Sequence, residues 1–215
     1  MVATGNQSRR QRKKAEVRSR LYTAALHLFL DHGYENTTVQ EITDLADVAK
    51  ATFFNYFPTK EHVLATYHNE MTSEILQELH KLKTRRTEWI ILSAMGIFAG
   101  WAERNKSMGR VILRTIFGSD VLMRADEKNE QRLFEWFRKQ IENGIANGEL
   151  RRDLDPVLLS SLIIGTLSAS VQEWIMSDQA FGLKEALIEK VRFLFLLARV
   201  EGRTNRSVHL NRRKA

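Results

Sequence analysis

The sequence predicts an all-α protein of about nine helices, in which a three-helix N-terminal domain of the helix-turn-helix type precedes a larger C-terminal helical bundle. Only two prolines and 11 glycines occur in 215 residues. Apolar residues recur along most of the chain at the i, i+4, i+7 spacing of an amphipathic helix. No segment alternates apolar and polar residues as a half-buried strand does. We therefore expect helices throughout, packed around a sizeable core.

Composition excludes several classes of protein. The chain has no cysteine, so it forms neither a disulfide nor a thiolate metal site, and this suits a reducing cytoplasm. The N-terminus lacks the apolar segment of a secretory signal. The least charged stretch, residues 157–172, is shorter than the roughly 20 residues of a membrane span. We interpret it as a buried helix and expect no association with a membrane.

Positive charge is concentrated at the two ends of the chain. The whole chain has a net charge of +7, whereas residues 1–20 carry +6 and residues 201–215 carry +4. The body between them is therefore slightly acidic. We expect residues 1–13 to be a disordered basic arm and residues 201–215 a disordered basic tail. Such segments attract polyanions, although they also serve simply to keep a protein in solution.

The first helix is predicted from Lys14 onward. Leu21, Leu28 and Phe29 belong to one apolar stripe whose spacing is that of a single helix face. Gly33 follows where a glycine in the left-handed conformation commonly ends a helix. The first helix is therefore expected to stop just before it.

Two short helices joined by a tight turn come next. Thr38 and Glu41 have the spacing of a capping box, in which each side chain bonds a free backbone N–H of the first helical turn. Asp47 stands in the turn. The third helix is predicted over residues 49–57, because Pro58 then interrupts the pattern.

A long fourth helix follows Thr59 and runs to Leu82. Its apolar residues keep the helical period over the whole distance. Four or five more helices are predicted, at about 87–104, 107–123, 127–147, 155–178 and 183–200.

A helix, a short turn and a second helix over residues 38–57 have the layout of a DNA reader whose second helix enters the major groove. The outward face of that helix must then be small or polar, whereas we expect Val48, Phe53, Phe54 and Phe57 to anchor it in the core. Helix N-termini with free N–H groups favour phosphate. The residues expected at DNA are Thr38, Val39, Ala49, Lys50, Ala51, Thr52, Asn55, Tyr56 and Lys60.

The segment of about residues 14–75 resembles the N-terminal domain of the TetR family of bacterial transcriptional regulators, whereas residues 76–215 are similar to the family only in length and helical character. The matching positions are Ala24, Ala25, Phe29, Gly33, Tyr34, Thr37, Thr38, Val39, Ile42, Ala46, Val48, Thr52, Phe53, Phe54, Phe57, Lys60 and Glu61. The resemblance implies a cytoplasmic homodimer that binds a near-palindromic operator in double-stranded DNA at the nucleoid. It also implies a regulator, usually a repressor, that leaves its operator when a small molecule binds.

Three positions depart from the pattern of that family. Asp47 stands where glycine is frequent in the turn, and aspartate adopts the left-handed conformation better than most residues. Ala49 replaces a common serine cap, which weakens the start of the third helix. Phe54 replaces a frequent tyrosine and so removes a hydroxyl for phosphate, which we expect Tyr56 to supply instead.

The C-terminal part is expected to bind a ligand and to form the dimer. We place the DNA-binding domain at residues 14–60 and the ligand-binding and dimerisation domain at residues 61–200. The last two helices are apolar, so they are expected to form a four-helix interface with a second copy, the alternative being burial within one subunit. The expected interface residues are Leu158, Leu162, Gly165, Ala169, Leu187, Val191, Leu194 and Phe195.

Aromatic and methionine side chains at helical spacing form either an ordinary core or the lining of a ligand cavity. A cavity between the C-terminal helices would take an unknown small molecule, and nearby charged side chains would orient it. The candidate lining residues are Trp101, Met108, Ile112, Phe117, Phe134, Phe137, Thr166, Ser170 and Trp174.

Catalysis is not expected from this sequence. It contains no phosphate-binding loop, no His-Glu-x-x-His pair and no Gly-x-Ser-x-Gly elbow. No cofactor and no metal are implied. The alternative to a DNA-binding regulator is an all-helical carrier of small molecules, or an adaptor, that does not bind DNA.

Overall fold

The computed structural model describes residues 9–82, 86–177 and 181–199, and in these ranges it confirms the all-α prediction with nine α-helices. The helices are α1 (Arg9–Asp31), α2 (Val39–Leu45), α3 (Lys50–Phe54), α4 (Lys60–Lys81), α5 (Thr87–Arg104), α6 (Lys106–Thr115), α7 (Asp120–Ala146), α8 (Pro156–Met176) and α9 (Leu183–Ala198). The parts of the predicted basic arm and tail at residues 1–8 and 201–215 lie outside the described residues.

Several helix boundaries differ from the predicted ones, and α6 ends at Thr115 instead of near residue 123. α1 begins at Arg9, so residues 9–13 of the predicted arm are helical and exposed, because arginine, lysine and glutamine are good helix formers. α7 begins at Asp120 instead of near residue 127. Its start is fixed by Ser119, whose Oγ accepts a hydrogen bond from the backbone N–H of Leu122.

An N-terminal core lies among α1, α2, α3 and the first turns of α4. Phe29 and Phe53 are fully buried at its centre, and Phe57 is 2% exposed. Leu21 on α1 and Ile42 on α2 complete the contact between these helices. The predicted helix-turn-helix unit therefore has its own apolar support, which fixes the orientation of α3.

A C-terminal core lies among α4, α5, α7, α8 and α9. Met95 on α5, Phe137 on α7 and Ile163 on α8 are fully buried in it, as is Phe195 on α9. The rings of Phe98 and Phe137 stack with their centroids 6.2 Å apart. α4 contributes to both cores and therefore joins the two halves of the molecule.

α6 connects the N-terminal core with the end of α8. Met108 and Ile112 on α6 are buried in the N-terminal core. Gly109 lets α6 approach α8 closely, since a Cβ at this position would lie 2.8 Å from Cδ1 of Ile175. The guanidinium of Arg110 donates to the Ile175 carbonyl at 3.0 Å. α6 is therefore packed against both the N-terminal core and the end of α8.

α8 is buried on one face only, whereas the sequence predicted a buried helix. Among the described helices it alone is long and apolar enough to cross a membrane, and 39% of its most apolar 18-residue stretch is buried in the structure. The buried face packs against α7 and α9. The opposite face is exposed and apolar, which explains the low charge of this segment without placing it in a lipid bilayer.

Candidate nucleic-acid interface

The start of α2 is fixed by a complete capping box. Thr38 Oγ1 accepts a hydrogen bond from the Glu41 backbone N–H at 3.2 Å. The Glu41 carboxylate accepts from the Thr38 backbone N–H at 2.7 Å and from the Thr38 hydroxyl at 2.8 Å. These bonds hold the pKa of the Glu41 carboxyl below its usual value. The predicted cap is confirmed, and its hydroxyl proton is directed at Glu41.

The turn between α2 and α3 depends on a left-handed residue. Asp47 has a φ of 52°, and it is the one non-glycine residue of the described ranges with positive φ. The next residue, Val48, returns its backbone N–H to the Thr43 carbonyl at 3.0 Å. The expectation that aspartate tolerates this conformation is therefore confirmed.

α3 turns a small, mixed face toward solvent. Its exposed residues are Lys50, Ala51, Phe54 and Asn55, while Thr52 and Tyr56 are half-buried. The helix covers only Lys50–Phe54 and is shorter than predicted, with Asn55 as its C-cap. Ala49 makes no side-chain cap, as expected from its methyl group. Phe53 alone is fully buried within the helix, so the exposed face stands clear of the core.

Phe54 lies on this exposed face, whereas the sequence predicted it in the core. Its side chain is 52% exposed, and its ring meets that of Phe53 edge to face with centroids 5.5 Å apart. So short a helix buries one face, and Phe53 and Phe57, four residues apart, occupy it. The i+3 spacing from Ala51 was the available signal, because it puts Phe54 beside residues expected at DNA.

Lys60 has a structural role that the sequence did not predict. Its Nζ donates to the carbonyls of Tyr34 and Thr37, each at 2.8 Å, and lies 4.4 Å from the centroid of the Tyr34 ring. Two of its three N–H groups therefore hold the start of α4 to the loop before α2. The predicted phosphate contact would have to compete with these bonds.

The basic first half of α1 contacts the segment after α3. The guanidinium of Arg18 stands 5.2 Å from the centroid of the ring of Phe57, three residues after the end of α3. Further toward the N-terminus α1 exposes a series of cations, namely Arg9, Arg10, Arg12, Lys13 and Lys14. The first half of α1 is therefore strongly positive.

α8 and α9 together present an apolar surface at the opposite part of the fold. We call it the α8–α9 face and define it by Val157, Leu158, Leu162, Gly165, Ala169, Met176, Phe193, Leu196 and Leu197. Leu158 is 58% exposed and Leu162 is 46% exposed, while Phe193, Leu196 and Leu197 are each 63% exposed. So many exposed large apolar side chains on two adjacent helices are typical of a protein interface.

The predicted interface residues divide between the two faces of these helices. Leu158, Leu162, Gly165 and Ala169 are exposed on α8, as an interface requires. On α9 the prediction chose the wrong face. Leu187, Val191 and Phe195 are fully buried within their own subunit, and Leu194 is half-buried against the C-terminal core. Leu187, Val191 and Phe195 are therefore not available to a second copy.

Three of the predicted ligand-lining residues lie away from the C-terminal core. Met108 and Ile112 belong to the N-terminal core. Phe117 is 79% exposed, because it lies in the 3₁₀ turn that links α6 to α7. These three residues are therefore not part of the C-terminal core, since helical period alone does not tell the interior of one core from another.

The other six lie in or near the C-terminal core. Phe137 is fully buried and Phe134 packs beside it, while Thr166 is half-buried on α8. Ser170 accepts a hydrogen bond from Lys190 Nζ at 2.9 Å, and the Trp174 indole N–H donates to the Phe181 carbonyl at 3.0 Å. Both therefore fasten α8 to α9 or to the segment before it. Trp101 lines a cavity between α1, α4 and α5.

The described residues contain no site suited to a metal ion. Nowhere in these ranges do three His, Cys, Asp or Glu side chains come close enough together to form a ligand set. The site that the geometry supports is instead the exposed face of α3, flanked by the cations of α1. Its shape and charge suit a nucleic acid.

Two family models match the chain. Residues 21–67 match the model of the bacterial regulatory proteins of the tetR family. Residues 130–198 match the model of the C-terminal region of YsiA-like proteins. The first match covers the helix-turn-helix unit, and the second covers the end of α7, α8 and α9.

Relatives of similar length include two named regulators. The chain is 27% identical over 162 residues to the HTH-type transcriptional repressor DhaR of Mycobacterium sp. (strain GP1), covering 74% of this chain and 82% of DhaR. It is 24% identical over 173 residues to the fatty acid metabolism regulator protein of Bacillus subtilis, covering 74% of this chain and 84% of that protein.

A solved structure of similar fold contains a bound ligand. It is Thermus thermophilus FadR, a TetR-family transcriptional repressor in complex with lauroyl-CoA. Its TM-score is 0.69 at 25% sequence identity, and the match covers 83% of this chain and 93% of FadR. The similarity therefore extends over both halves of the molecule.

Proposed function

The chain belongs to the TetR family of bacterial transcriptional regulators, and we propose that it is a homodimeric repressor that inserts α3 into the major groove of a near-palindromic operator. It is a DNA-binding regulator that responds to a small molecule. In our proposal the protein acts in the cytoplasm without catalytic activity, and binding of the ligand releases the operator. A carrier or adaptor without DNA binding is the alternative.

One observation carries the proposal for DNA binding: the α3 face is exposed while the helix itself is anchored. Phe53 and Phe57 fix the helix from below, and Asp47 sets its angle to α2. A recognition helix needs this combination because base readout requires a rigid element whose outer side chains reach the groove. A carrier would have no use for such a face.

The side chains of the α3 face suggest distinct contacts. We propose that Lys50 neutralises a phosphate and that the Asn55 amide bonds a base edge or a phosphate. Ala51 and Phe54 are apolar and suit the methyl group of thymine. We add Phe54 to the predicted set for this reason, and expect operators with thymine opposite it to bind more tightly.

Replacing Lys50 by alanine is expected to weaken operator binding and to reduce its dependence on salt. Each dimer then loses two cations at phosphates, so the slope of log K against log salt concentration should become less negative by about 1.8. Electrophoretic mobility shift at several salt concentrations, with DNA from the protein's own promoter region, measures this slope.

Lys139→Ala is the matched control for this experiment. Lys139 is an exposed lysine on α7, outside both cores, so its loss removes the same formal charge away from the α3 face. The control should keep the slope of the unmodified protein. An equal change in both variants would argue against α3 at the phosphates, and complete absence of salt-sensitive DNA binding would favour the carrier.

The α8–α9 face supports a dimer with two-fold symmetry. Two copies of a pair of apolar helices form a four-helix interface in which each patch contacts the same patch of the partner. Two α3 helices related by such an axis would read half-sites about 34–36 Å apart, or a multiple of that distance. A near-palindromic operator follows from the symmetry.

α6 offers a route from the C-terminal core to the DNA-binding helices. Met108 and Ile112 are packed in the N-terminal core, whereas Gly109 and Arg110 contact Ile175 on α8. We propose that a ligand between α5, α7 and α8 shifts α8 and, through α6, changes the separation of the two α3 helices. Allosteric coupling requires that the ligand contact the two states of the protein differently, and a shift of α8 against α6 would provide these two states.

We propose a long-chain acyl-CoA as the ligand of the C-terminal core. The similarity to the fatty acid metabolism regulator of Bacillus subtilis and to the lauroyl-CoA complex of Thermus thermophilus FadR supports this choice. The apolar interior around Met95, Phe98 and Phe137 suits an acyl chain.

Addition of lauroyl-CoA is expected to release the protein from its operator, because the acyl chain binds one arrangement of the core better than the other. Mobility shift with lauroyl-CoA, lauric acid and coenzyme A in parallel measures this effect and separates the contribution of each part. Release by lauroyl-CoA and not by coenzyme A is the expected result. Persistence of the complex with all three compounds would contradict the proposed ligand class.

A further inference from the structure

A cavity of about 350 Å³ lies where α1, α4 and α5 meet. It is lined by Tyr22, Leu26, Tyr67, Glu70, Met71, Glu74, Trp101, Arg104 and Asn105. These residues come from the DNA-binding half as well as from the C-terminal half of the molecule. The volume is within the range of sites for small organic molecules. Two of its lining residues, Met71 and Trp101, also pack against the edge of the C-terminal core, whereas Met95, Phe98 and Phe137, around which the acyl chain is proposed, do not line it.

The charge of this cavity opposes that of the whole chain. Two carboxylates, Glu70 and Glu74, stand against a single guanidinium, Arg104, in its lining, although the chain has a net charge of +7. The two carboxylates are one turn apart on α4, so they face the same opening. An anion would be repelled there, while a cation would gain by entering.

Three aromatic rings complete the lining. The rings of Tyr67 and Trp101 have centroids 6.4 Å apart and planes inclined at 51°, so they form two adjacent sides of the cavity. Burial, reinforced by Glu74, raises the pKa of Tyr67 to about 12, and burial likewise raises the pKa of Tyr22. Both phenols are therefore neutral at physiological pH and keep ring faces that attract cations.

We infer that this cavity, which we call the junction site, binds a small aromatic or alkyl organic cation. The rings of Tyr22, Tyr67 and Trp101 would cover its apolar groups, and Glu70 and Glu74 would neutralise its charge. Carboxylates combined with aromatic faces are a recurrent means of recognising ammonium-type ligands. The adjoining Leu26 and Met71 favour a lipophilic cation over an inorganic one.

Occupation of the junction site would act directly on α1. The Tyr22 hydroxyl donates to the Glu70 carboxylate at 2.7 Å and so ties α1 to α4. The Tyr22 ring also stacks on Phe57 with centroids 6.5 Å apart. A cation that engages Glu70 competes with this bond and displaces the ring that supports the end of α3. Coupling to DNA rests on the proposed function, whereas binding of the cation does not.

The experiment compares two ions of nearly equal size and opposite charge. Tetraphenylphosphonium and tetraphenylborate are titrated into the full-length protein, and binding is followed by calorimetry and by quenching of tryptophan fluorescence. The expected result is saturable binding of tetraphenylphosphonium with at least about tenfold preference over tetraphenylborate, since the carboxylates reverse their effect with the sign of the ion. Equal binding of the two ions would overturn the inference.

Isosteric variants locate the binding. Glu70→Gln and Glu74→Gln each remove one negative charge, and glutamine at position 70 still offers an oxygen to the Tyr22 hydroxyl. Each should weaken tetraphenylphosphonium binding by about tenfold. Glu78→Gln is the matched control, because Glu78 is exposed on the same helix and paired with Lys81 outside the cavity. Unchanged affinity in the first two variants, or an equal loss in all three, would overturn the assignment.

A DNA measurement separates this inference from the proposed function. Tetraphenylphosphonium should weaken operator binding of the unmodified protein. The same concentration should weaken operator binding less in the Glu70→Gln and Glu74→Gln variants. Operator binding without any binding of the cation would refute the junction site and leave the proposed function standing. Binding of the cation without any operator binding would refute the proposed function and leave the junction site standing.

Discussion

Glutamate at both Leu162 and Leu196 is expected to convert the protein to a monomer and to weaken operator binding by at least about 100-fold. The two leucines are 46% and 63% exposed on the α8–α9 face. Each dimer would then bury four unpaired carboxylates in an apolar interface, and that cost exceeds what the remaining contacts supply. Without the dimer the two half-sites bind independently, so the gain in effective concentration is lost.

Light scattering during gel filtration measures the mass, and mobility shift measures operator affinity. Met123→Glu is the matched control, since Met123 is 41% exposed at the start of α7 and outside the α8–α9 face. This variant should remain a dimer with unchanged affinity. A double variant that stays dimeric would show that another surface joins the two copies, and the operator spacing given above would then fail.

Acidification from pH 7 to pH 5 is expected to destabilise the protein by about 2 kcal/mol through one histidine. His68 on α4 is buried, and its Nδ1 has no hydrogen-bond partner. Burial lowers the pKa of His68 to about 4, so the folded protein keeps it neutral. The unfolded chain takes up the proton near the ordinary pKa of about 6.5. Acid therefore favours the unfolded state between these two values.

Asp126 on α7 modifies the size of this effect but not its origin. Its carboxylate lies 3.6 Å from Nε2 of His68, and burial raises the pKa of Asp126. A raised carboxyl pKa makes the folded state take up a proton first, which offsets part of the loss as the pH falls. Urea unfolding of the unmodified protein and of His68→Gln at both pH values isolates the histidine contribution.

The His68→Gln variant should lose most of the pH dependence in this interval. His27→Gln serves as the control, because His27 is exposed and lies 3.3 Å from Asp31 on the surface of α1. Its replacement should leave the stability difference between pH 7 and pH 5 almost unchanged. If instead the control removes the difference and His68→Gln retains it, the assignment to the buried histidine is wrong.

The helix-turn-helix unit could be predicted closely because its signals are local. Thr38 and Glu41 specify a cap through their spacing alone, and Asp47 is one of the few residues that suit a left-handed turn. Phe54 could not be placed in this way. Three consecutive positions, Thr52 to Phe54, are all compatible with a core, and only the short length of α3 decides which side chain stays outside.

The C-terminal helices were harder because both of their faces are apolar. On α9, Val191 and Phe195 lie inside the subunit while Phe193, Leu196 and Leu197 lie outside. The helical period of such a sequence shows two apolar stripes but does not tell which of them is buried in the subunit. That depends on the positions of α5 and α8, against which α9 packs. The same limit misplaced Met108 and Ile112, whose helical period is correct but whose core is the N-terminal one.

The contact between Gly109 and Ile175 sets how faithfully a movement passes through the molecule. The Gly109 backbone lies there against the end of the Ile175 side chain, whose Cδ1 would be 2.8 Å from a Cβ at position 109. Closely packed interiors resist compression. A displacement at the end of α8 therefore reaches α6 through this contact and through the Arg110 hydrogen bond, and alanine at position 109 would force the Ile175 side chain to shift.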